Sequence, residues 1–214
     1  MLVAAMPVTH ADGAGIALKG NDRGAPACIA CHGAQGEGNA ASGFPRLAGL
    51  DAGYMHSQLE AFATGKRTNA MMAPIAVALD ATERKQVADY YGGLGRSPGT
   101  VKPAVQQADV AAPPVGEPGA QLALKGRWEN GLPACVQCHG STGAGVGSVF
   151  PALAGQSALY IEIQLRAWQQ GTRAPGPLGL MKVISDKLSA DDVRHVAAYF
   201  AALPPGRTST GVTP

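Results

Sequence analysis

Residues 26–38 read PACIACHGAQGEG, and residues 133–145 read PACVQCHGSTGAG. Each stretch contains Cys-x-x-Cys-His, and the two motifs together use all 4 cysteines of the 214-residue chain. The identity of two five-residue patterns argues against a chance arrangement of unreactive core cysteines. The sequence therefore predicts that both motifs perform the same chemistry.

The rest of the chain is duplicated as well. GFPRLAGL at residues 43–50 is repeated as VFPALAGQ at residues 149–156. A period near a hundred residues indicates a duplicated domain, because solenoid repeats are only about 20–50 residues long. The predicted parts are a signal-peptide remnant at 1–11, an N-terminal domain at 12–95, a Pro/Ala/Gly-rich linker at 96–120, a C-terminal domain at 121–205 and a flexible tail at 206–214.

Each domain is predicted to consist of short helices and loops. Asp80 and Glu83 form a capping-box pattern before an apolar helical face, and Ser189 and Asp192 repeat it in the second copy. The N-cap residues predicted for a middle helix are Asp51 and Ser157. No alternating pattern of useful length predicts a strand, so the predicted fold class is all-α.

Composition excludes several classes of protein. The net charge of +2 without a basic run argues against nucleic-acid binding. No apolar run approaches the roughly 18–20 residues that span a bilayer. Aromatic residues make up only 5% of the chain, which predicts a thin core in each half-length domain. A large apolar cofactor would complete such a core.

Other functions of paired cysteines fit the two motifs poorly. A redox-active disulfide does not require a histidine directly after the second cysteine, and no βαβ pattern accompanies the motifs. A zinc site would lack a ligand, since each motif supplies two cysteines and one histidine. The sequence thus favours a c-type haem attachment site in each domain.

Haem attachment gives the spacing a physical reason. Two intervening residues let both thiols, Cys28 with Cys31 and Cys135 with Cys138, form thioethers with the two vinyl groups of one porphyrin. The next residue, His32 or His139, then projects over the ring as an iron ligand. We therefore expect two covalently bound haem c groups.

An electron-carrying haem iron needs a second axial ligand, and a Met thioether raises its reduction potential. Met181 lies eight residues before the cap Ser189, and Met72 lies eight residues before the matching cap Asp80. The neighbouring Met71 is the alternative ligand in the first domain. The metal ligands expected are thus His32, Met72, His139 and Met181.

Further residues are candidates for supporting each haem. A ligating histidine usually donates its Nδ1–H to a carbonyl, and the carbonyls of Pro45 and Pro151 are the candidate acceptors. Arg67 and Arg173 occupy matching positions in the two copies and are candidates to pair with the haem propionates.

The order of these motifs resembles the class I cytochromes c, and the tandem arrangement is similar to the di-haem cytochrome c4 type. The resemblance covers nearly all of residues 13–205. It implies two class I domains, each wrapping one covalently attached haem, packed face to face with His/Met ligation at both irons. It also implies single-electron transfer from a quinol-oxidising complex or dehydrogenase to a terminal oxidase or another acceptor.

A non-enzymatic carrier that meets redox protein partners, without nucleic acid and without a membrane span, is therefore expected. The alternatives are a di-haem enzyme, such as a peroxidase or a sulfur-compound dehydrogenase, and a dedicated cytochrome subunit of a periplasmic dehydrogenase. The apolar start ending in Thr-His-Ala and the haem chemistry predict a periplasmic location, with peripheral membrane association left open.

Overall fold

The regular structure of the described residues is helical. The structure, a computed structural model, describes residues 13–94, 116–174 and 176–205. The predicted signal remnant, the predicted tail and most of the predicted linker lie outside these residues. Within them there are isolated β-bridges but no strand. The predicted all-α fold class is confirmed.

The helices of the two halves follow the same order. Those of the first half are α1 (Gly13–Lys19), α2 (Ile29–His32), α3 (Ala52–Ala63), α4 (Met72–Ala78) and α5 (Ala81–Gly93). Those of the second half are α6 (Pro118–Leu124), α7 (Val136–His139), α8 (Ala158–Gln169), α9 (Leu180–Asp186) and α10 (Ala190–Ala202). Helix α6 thus begins within the range predicted as linker. The second half also contains 3₁₀ turns at Trp128–Asn130 and Pro177–Gly179.

Polar caps fix where the longer helices begin. The Asp51 carboxylate accepts a hydrogen bond from the Tyr54 N–H at the start of α3. Complete capping boxes stand before α5 (Asp80 with Glu83) and α10 (Ser189 with Asp192), and Ser157 caps α8. Each cap satisfies an orphan N–H and contributes about 1 kcal/mol. The four predicted helix starts are confirmed.

The first and last helices of each domain cross at a glycine. A Cβ atom at Gly13 of α1 would lie 2.1 Å from the carbonyl oxygen of Gln86 in α5. A Cβ at Gly119 of α6 would lie 2.2 Å from the carbonyl oxygen of His195 in α10. Only glycine permits so close an approach. The buried cores beside these crossings include Ile16, Met55, Val87 and Tyr91 in the first domain and Ile161, Leu165, Val193 and Phe200 in the second.

The domains meet through the matched segments that follow α3 and α8. Arg67 and Arg173 form an isolated antiparallel bridge across the boundary. Its hydrogen bonds run from the Thr68 N–H to the Thr172 carbonyl (2.9 Å) and from the Ala174 N–H to the Lys66 carbonyl (2.7 Å). This pairing brings the equivalent surfaces of the two domains together.

A second contact across the boundary is not symmetric. The Gln156 side-chain oxygen accepts from the Arg46 N–H at 2.9 Å, and its amide nitrogen donates to the Arg46 carbonyl at 3.0 Å. The equivalent residue of the first domain is Leu50, which cannot make such bonds. The boundary therefore combines a symmetric pairing with one asymmetric clamp.

Candidate haem sites

One turn of helix presents each Cys-x-x-Cys-His motif. Cys28 precedes α2 and Cys135 precedes α7, and in each case the histidine N–H donates to the carbonyl of the first cysteine at 3.0 Å. Residues three apart on a helix share a face, so the two sulfurs of each motif lie on the same side. A single flat cofactor edge can therefore meet both of them.

The cysteines are poorly suited to disulfide or zinc chemistry. All four are free thiols. Burial raises the pKa of Cys28 and raises that of Cys135 to about 11, whereas dithiol oxidoreductases need a lowered thiol pKa. No group of three or more His, Cys, Asp or Glu side chains able to hold a metal ion occurs in residues 13–94, 116–174 and 176–205.

The two motif histidines are held as neutral imidazoles. His32 and His139 are buried, and their Nδ1 atoms lie 2.9 Å from the Pro45 carbonyl oxygen and 2.8 Å from the Pro151 carbonyl oxygen. Burial lowers the pKa of both histidines, an effect that the hydrogen bond partly opposes. Both expected acceptors are thus in place. A proton held on Nδ1 leaves the Nε2 lone pair available to a metal.

The predicted residues of the second site line one cavity of about 570 Å³. Cofactor sites typically measure about 300–1,000 Å³. Cys135, Cys138, His139 and Met181 lie in its wall. Apolar side chains form much of the rest, among them Leu132, Ile161, Leu165, Ile184, Val196 and Phe200. Size, apolar lining and donor set all fit a haem.

Met71 and Met72 differ in position and in exposure. Met72 is the first residue of α4 and is half-buried, while Met71 precedes the helix and is 49% exposed. In the second domain Met181 occupies the position equivalent to Met72. The position equivalent to Met71 is taken by Leu180, an exposed residue that cannot bind iron. Met72 and Met181 are therefore the matched pair.

Arg67 and Arg173 are buried at the domain boundary, and both line the cavity. Each guanidinium bonds to side chains of the other domain. Arg67 reaches the Tyr160 hydroxyl (2.8 Å) and Gln164 Oε1 (2.6 Å). Arg173 reaches the Tyr54 hydroxyl (3.1 Å) and Gln58 Oε1 (2.7 Å).

The two buried guanidinium groups lack an acidic partner. Among the described residues neither arginine forms an ion pair with a carboxylate. Each instead stacks on a ring of its own domain, Arg67 at 4.4 Å from the Phe62 centroid and Arg173 at 3.9 Å from the Trp168 centroid. Buried cations require a counter-charge, and haem propionates at the cavity would supply one.

Sequence reasoning missed the role of the tyrosines and glutamines at this boundary. The hydroxyls of Tyr54 and Tyr160 accept hydrogen bonds from the arginine of the other domain. The available signal was Tyr-x-x-x-Gln, which stands at Tyr54 and Gln58 and again at Tyr160 and Gln164. Spacing of this kind places both polar ends on one helix face.

Comparisons with known proteins agree with this geometry. The cytochrome c family model matches residues 13–94, and the model of cytochrome c oxidase, cbb3-type, subunit III matches residues 120–200. Cytochrome c4 of Pseudomonas aeruginosa is 33% identical over 195 residues, covering 90% of this chain and 91% of the relative. The chain belongs to the di-haem class I cytochromes c of the c4 type. Each of its two domains holds one covalently bound haem c.

Two further relatives of this cytochrome carry names from sulfur oxidation. A thiosulfate dehydrogenase electron acceptor of Stutzerimonas stutzeri is 46% identical over 212 residues, covering 98% of this chain and 94% of the relative. The structure of thiosulfate dehydrogenase TsdBA from Marichromatium purpuratum is 42% identical with a TM-score of 0.78. That match covers 90% of this chain but only 40% of the other, so this cytochrome spans less than half of that protein.

The cytochrome is an electron carrier, as its relatives are. Single-electron transfer needs a redox group that is held rigidly and shielded from water. Both halves of this chain provide a buried histidine, and the second also provides apolar walls. The prediction of a di-haem c-type cytochrome that carries single electrons is confirmed.

Proposed function

We propose that this cytochrome accepts electrons from a thiosulfate-oxidising dehydrogenase and passes them to a further respiratory acceptor. The carrying observation is the 46% identity, along nearly the whole chain, with a thiosulfate dehydrogenase electron acceptor. The identity with cytochrome c4 of Pseudomonas aeruginosa is lower, at 33%. The likeness to the TsdBA structure supports the same donor.

The residue assignments belong to this proposal. Cys28 and Cys31 attach one haem, and Cys135 and Cys138 attach the other. His32 with Met72, and His139 with Met181, would hold the two irons. Bound haem would supply a one-electron couple, and a Met ligand would favour the reduced state. With two protein ligands at each iron, the protein would act as a carrier and not as an enzyme.

The proposal also assigns a cofactor-binding role to the arginine pair. Arg67 and Arg173 would pair with haem propionates at the boundary. The buried guanidinium groups, without a carboxylate among the described residues, are the support for this role. Their bonds to tyrosine and glutamine side chains fix the guanidinium planes.

The proposed location is the periplasm. The support is the membership of the c4 type. In the described residues, no helix has the length and apolar character needed to cross a bilayer.

Stopped-flow reduction tests the proposed donor. The oxidised holoprotein is mixed with the Stutzerimonas stutzeri thiosulfate dehydrogenase in the presence of thiosulfate, and haem reduction is followed optically. We expect complete reduction that depends on both dehydrogenase and thiosulfate, faster than that of Pseudomonas aeruginosa cytochrome c4 in a parallel run. Equal or slower reduction of this cytochrome would remove the assignment of donor and leave a general respiratory carrier.

A permanent subunit of the dehydrogenase is the second candidate. The observation that favours it is the match to only 40% of a longer TsdBA chain. Gel filtration of the same two proteins at micromolar concentration separates the cases. Co-elution as one stable complex indicates a subunit, whereas separate peaks with fast reduction indicate a mobile carrier.

A further inference from the structure

Tyr91 and Phe200 occupy the same place in the two domains. The Gly49 N–H donates to the Tyr91 carbonyl at 3.0 Å, and the equivalent Gly155 N–H donates to the Phe200 carbonyl at 3.0 Å. Both side chains are only 1% exposed. Since Phe200 lines the cavity of the second site, Tyr91 holds the equivalent place beside the first.

The two rings are also held alike by the loop that follows each motif. A Cβ at Gly36 would lie 2.7 Å from the Tyr91 ring, and a Cβ at Gly143 would lie 2.9 Å from the Phe200 ring. Both glycines have φ near 70°, a region that other residues rarely enter. The rings therefore have little freedom to move, and the main difference between them is one hydroxyl group.

That hydroxyl is buried and forms no hydrogen bond with any residue that the structure describes. Cys28 packs against the core cluster that contains Tyr91, and its sulfur is a polar group near the hydroxyl. Burial, and then the nearby Cys28 thiol, raise the pKa of Tyr91, so its oxygen keeps the proton at physiological pH. A buried donor without a partner is rare, and each instance calls for an explanation.

We propose that the Tyr91 hydroxyl raises the reduction potential of the first haem. The inference rests on haem attachment at Cys28 but is independent of which protein donates the electrons. A Cys28 sulfur in thioether linkage has no proton and can only accept. Once the thioether has formed, the Tyr91 hydroxyl donates a hydrogen bond to that sulfur.

The direction of the effect follows from charge. A donated O–H places its positive end toward the sulfur and the ring that the sulfur carries. The reduced site has one positive charge fewer than the oxidised site, so this dipole favours reduction. Hydrogen bonds to groups around a haem are among the means by which proteins tune its potential. Phe200 offers no such dipole to the second site.

Another tyrosine near a sulfur does not distinguish the domains. Tyr199 in the second domain lies near Cys135, and burial followed by that thiol raises the pKa of Tyr199. Its equivalent in the first domain is Tyr90, so both domains carry a tyrosine at this position. Tyr91 against Phe200 is therefore the difference that bears on the two potentials.

Spectroelectrochemical titration of holoproteins tests the proposal. The variants are Tyr91→Phe, the mirror variant Phe200→Tyr and the matched control Tyr90→Phe, each checked for two covalently bound haems and for its melting temperature. We expect Tyr91→Phe to lower one of the two potentials, reducing the reduced-to-oxidised ratio at fixed ambient potential by about threefold or more, as for the loss of one hydrogen bond. Tyr90→Phe should change either potential by less than Tyr91→Phe does, because Tyr90 is partly exposed to water.

The mirror variant Phe200→Tyr tests the proposal independently of Tyr91→Phe. Phe200→Tyr should raise the other potential, and it decides the question alone if Tyr91→Phe does not retain its haems. Unchanged potentials in Tyr91→Phe, even with a lower melting temperature, would overturn the proposal and leave Tyr91 a packing residue. A rise in place of a fall would overturn it as well. Loss of one thioether, detected in the haem spectrum under denaturing conditions, would instead point to failed attachment at Cys28.

Discussion

Arg67 and Arg173, equivalent residues of the two domains, pair their backbones across the domain boundary while each guanidinium bonds to side chains of the opposite domain. The boundary is thus a two-fold arrangement built from one duplicated segment. Both cations are buried at the cavity and receive no carboxylate from the described residues. The arrangement joins the packing of the two domains and the lining of the cavity in one set of side chains.

Arg67→Met should weaken the boundary strongly. The change removes bonds to the Tyr160 hydroxyl and Gln164 and leaves these half-buried groups without that partner. We expect the free energy of unfolding to fall by about 2–4 kcal/mol, as for the loss of buried hydrogen bonds to a charged group. Chemical denaturation of the holoprotein measures the change. Arg194→Met, at an exposed surface pair, serves as the control and should change stability by no more than about 0.5 kcal/mol.

Arg67→Lys separates charge from shape. A lysine keeps the positive charge but cannot reproduce a planar guanidinium with several donors. We expect the lysine variant to recover less than half of the lost stability. Full recovery would show that charge alone matters at this position and would contradict the geometric role of the arginine.

Gln156→Leu tests the asymmetric clamp. The variant gives the second domain the leucine that the first domain has at the equivalent position, Leu50. It leaves the N–H and carbonyl of Arg46 without their partner. The expected loss is about 1–3 kcal/mol of unfolding free energy. Thermal unfolding compares it with Gln170→Leu, which changes an exposed residue. Equal stability of both variants would mean that water replaces the clamp.

Asp192 should make stability depend on pH in the acid range. The Arg127 guanidinium lies 2.8 Å from the Asp192 carboxylate and, ahead of the capping bonds to Ser189, holds the pKa of Asp192 below its ordinary value of 3.8. A depressed carboxyl pKa adds stability that is present above the unfolded value and is lost as pH falls through the folded value.

The matching experiment compares wild type with Asp192→Asn by denaturation at several pH values. At neutral pH we expect the variant to be less stable by about 1–2 kcal/mol, from the lost ion pair and weakened cap. The difference should shrink as the pH falls below about 3.8. Asp191→Asn, at an exposed neighbour, should show little effect at any pH. A difference that stays constant into acid would exclude the carboxylate as its source.

Met72→Leu and Met181→Leu should each remove one sulfur ligand. We expect each variant to lose about half of the Met-to-iron charge-transfer absorption of the oxidised holoprotein, because each iron has one such ligand in the proposal. Met71→Leu is the control and should keep the full absorption. Loss of absorption in Met71→Leu with retention in Met72→Leu would reverse the assignment in the first domain.

Local signals made much of the fold predictable. The caps at Asp51, Asp80, Ser157 and Ser189 act on N–H groups within the next few residues, so their helices follow from short sequence patterns. The acceptors of the histidines were also predictable, because the Phe-Pro-x-Leu-Ala-Gly segment follows each motif at nearly the same distance, with its proline 13 residues after His32 and 12 after His139.

Contacts between distant residues were not predictable in the same way. The bonds from Arg67 to Tyr160 and from Gln156 to Arg46 join opposite domains, and no periodicity within one helix specifies such partners. Duplication marked Arg67 and Arg173 as a matched pair but did not show that they face one another. No sequence pattern indicated the contact between Gln156 and Arg46, because the residue equivalent to Gln156 in the first domain is Leu50.

Carbon monoxide binding to the reduced holoprotein is the decisive test of His/Met ligation at both irons, because a carrier with these ligands has no open position. We expect two haems per chain and no change in the reduced spectrum at either haem when carbon monoxide is added. A carbon monoxide shift at one haem or both would show that this ligation is wrong and would place an exchangeable, enzyme-like site in the protein.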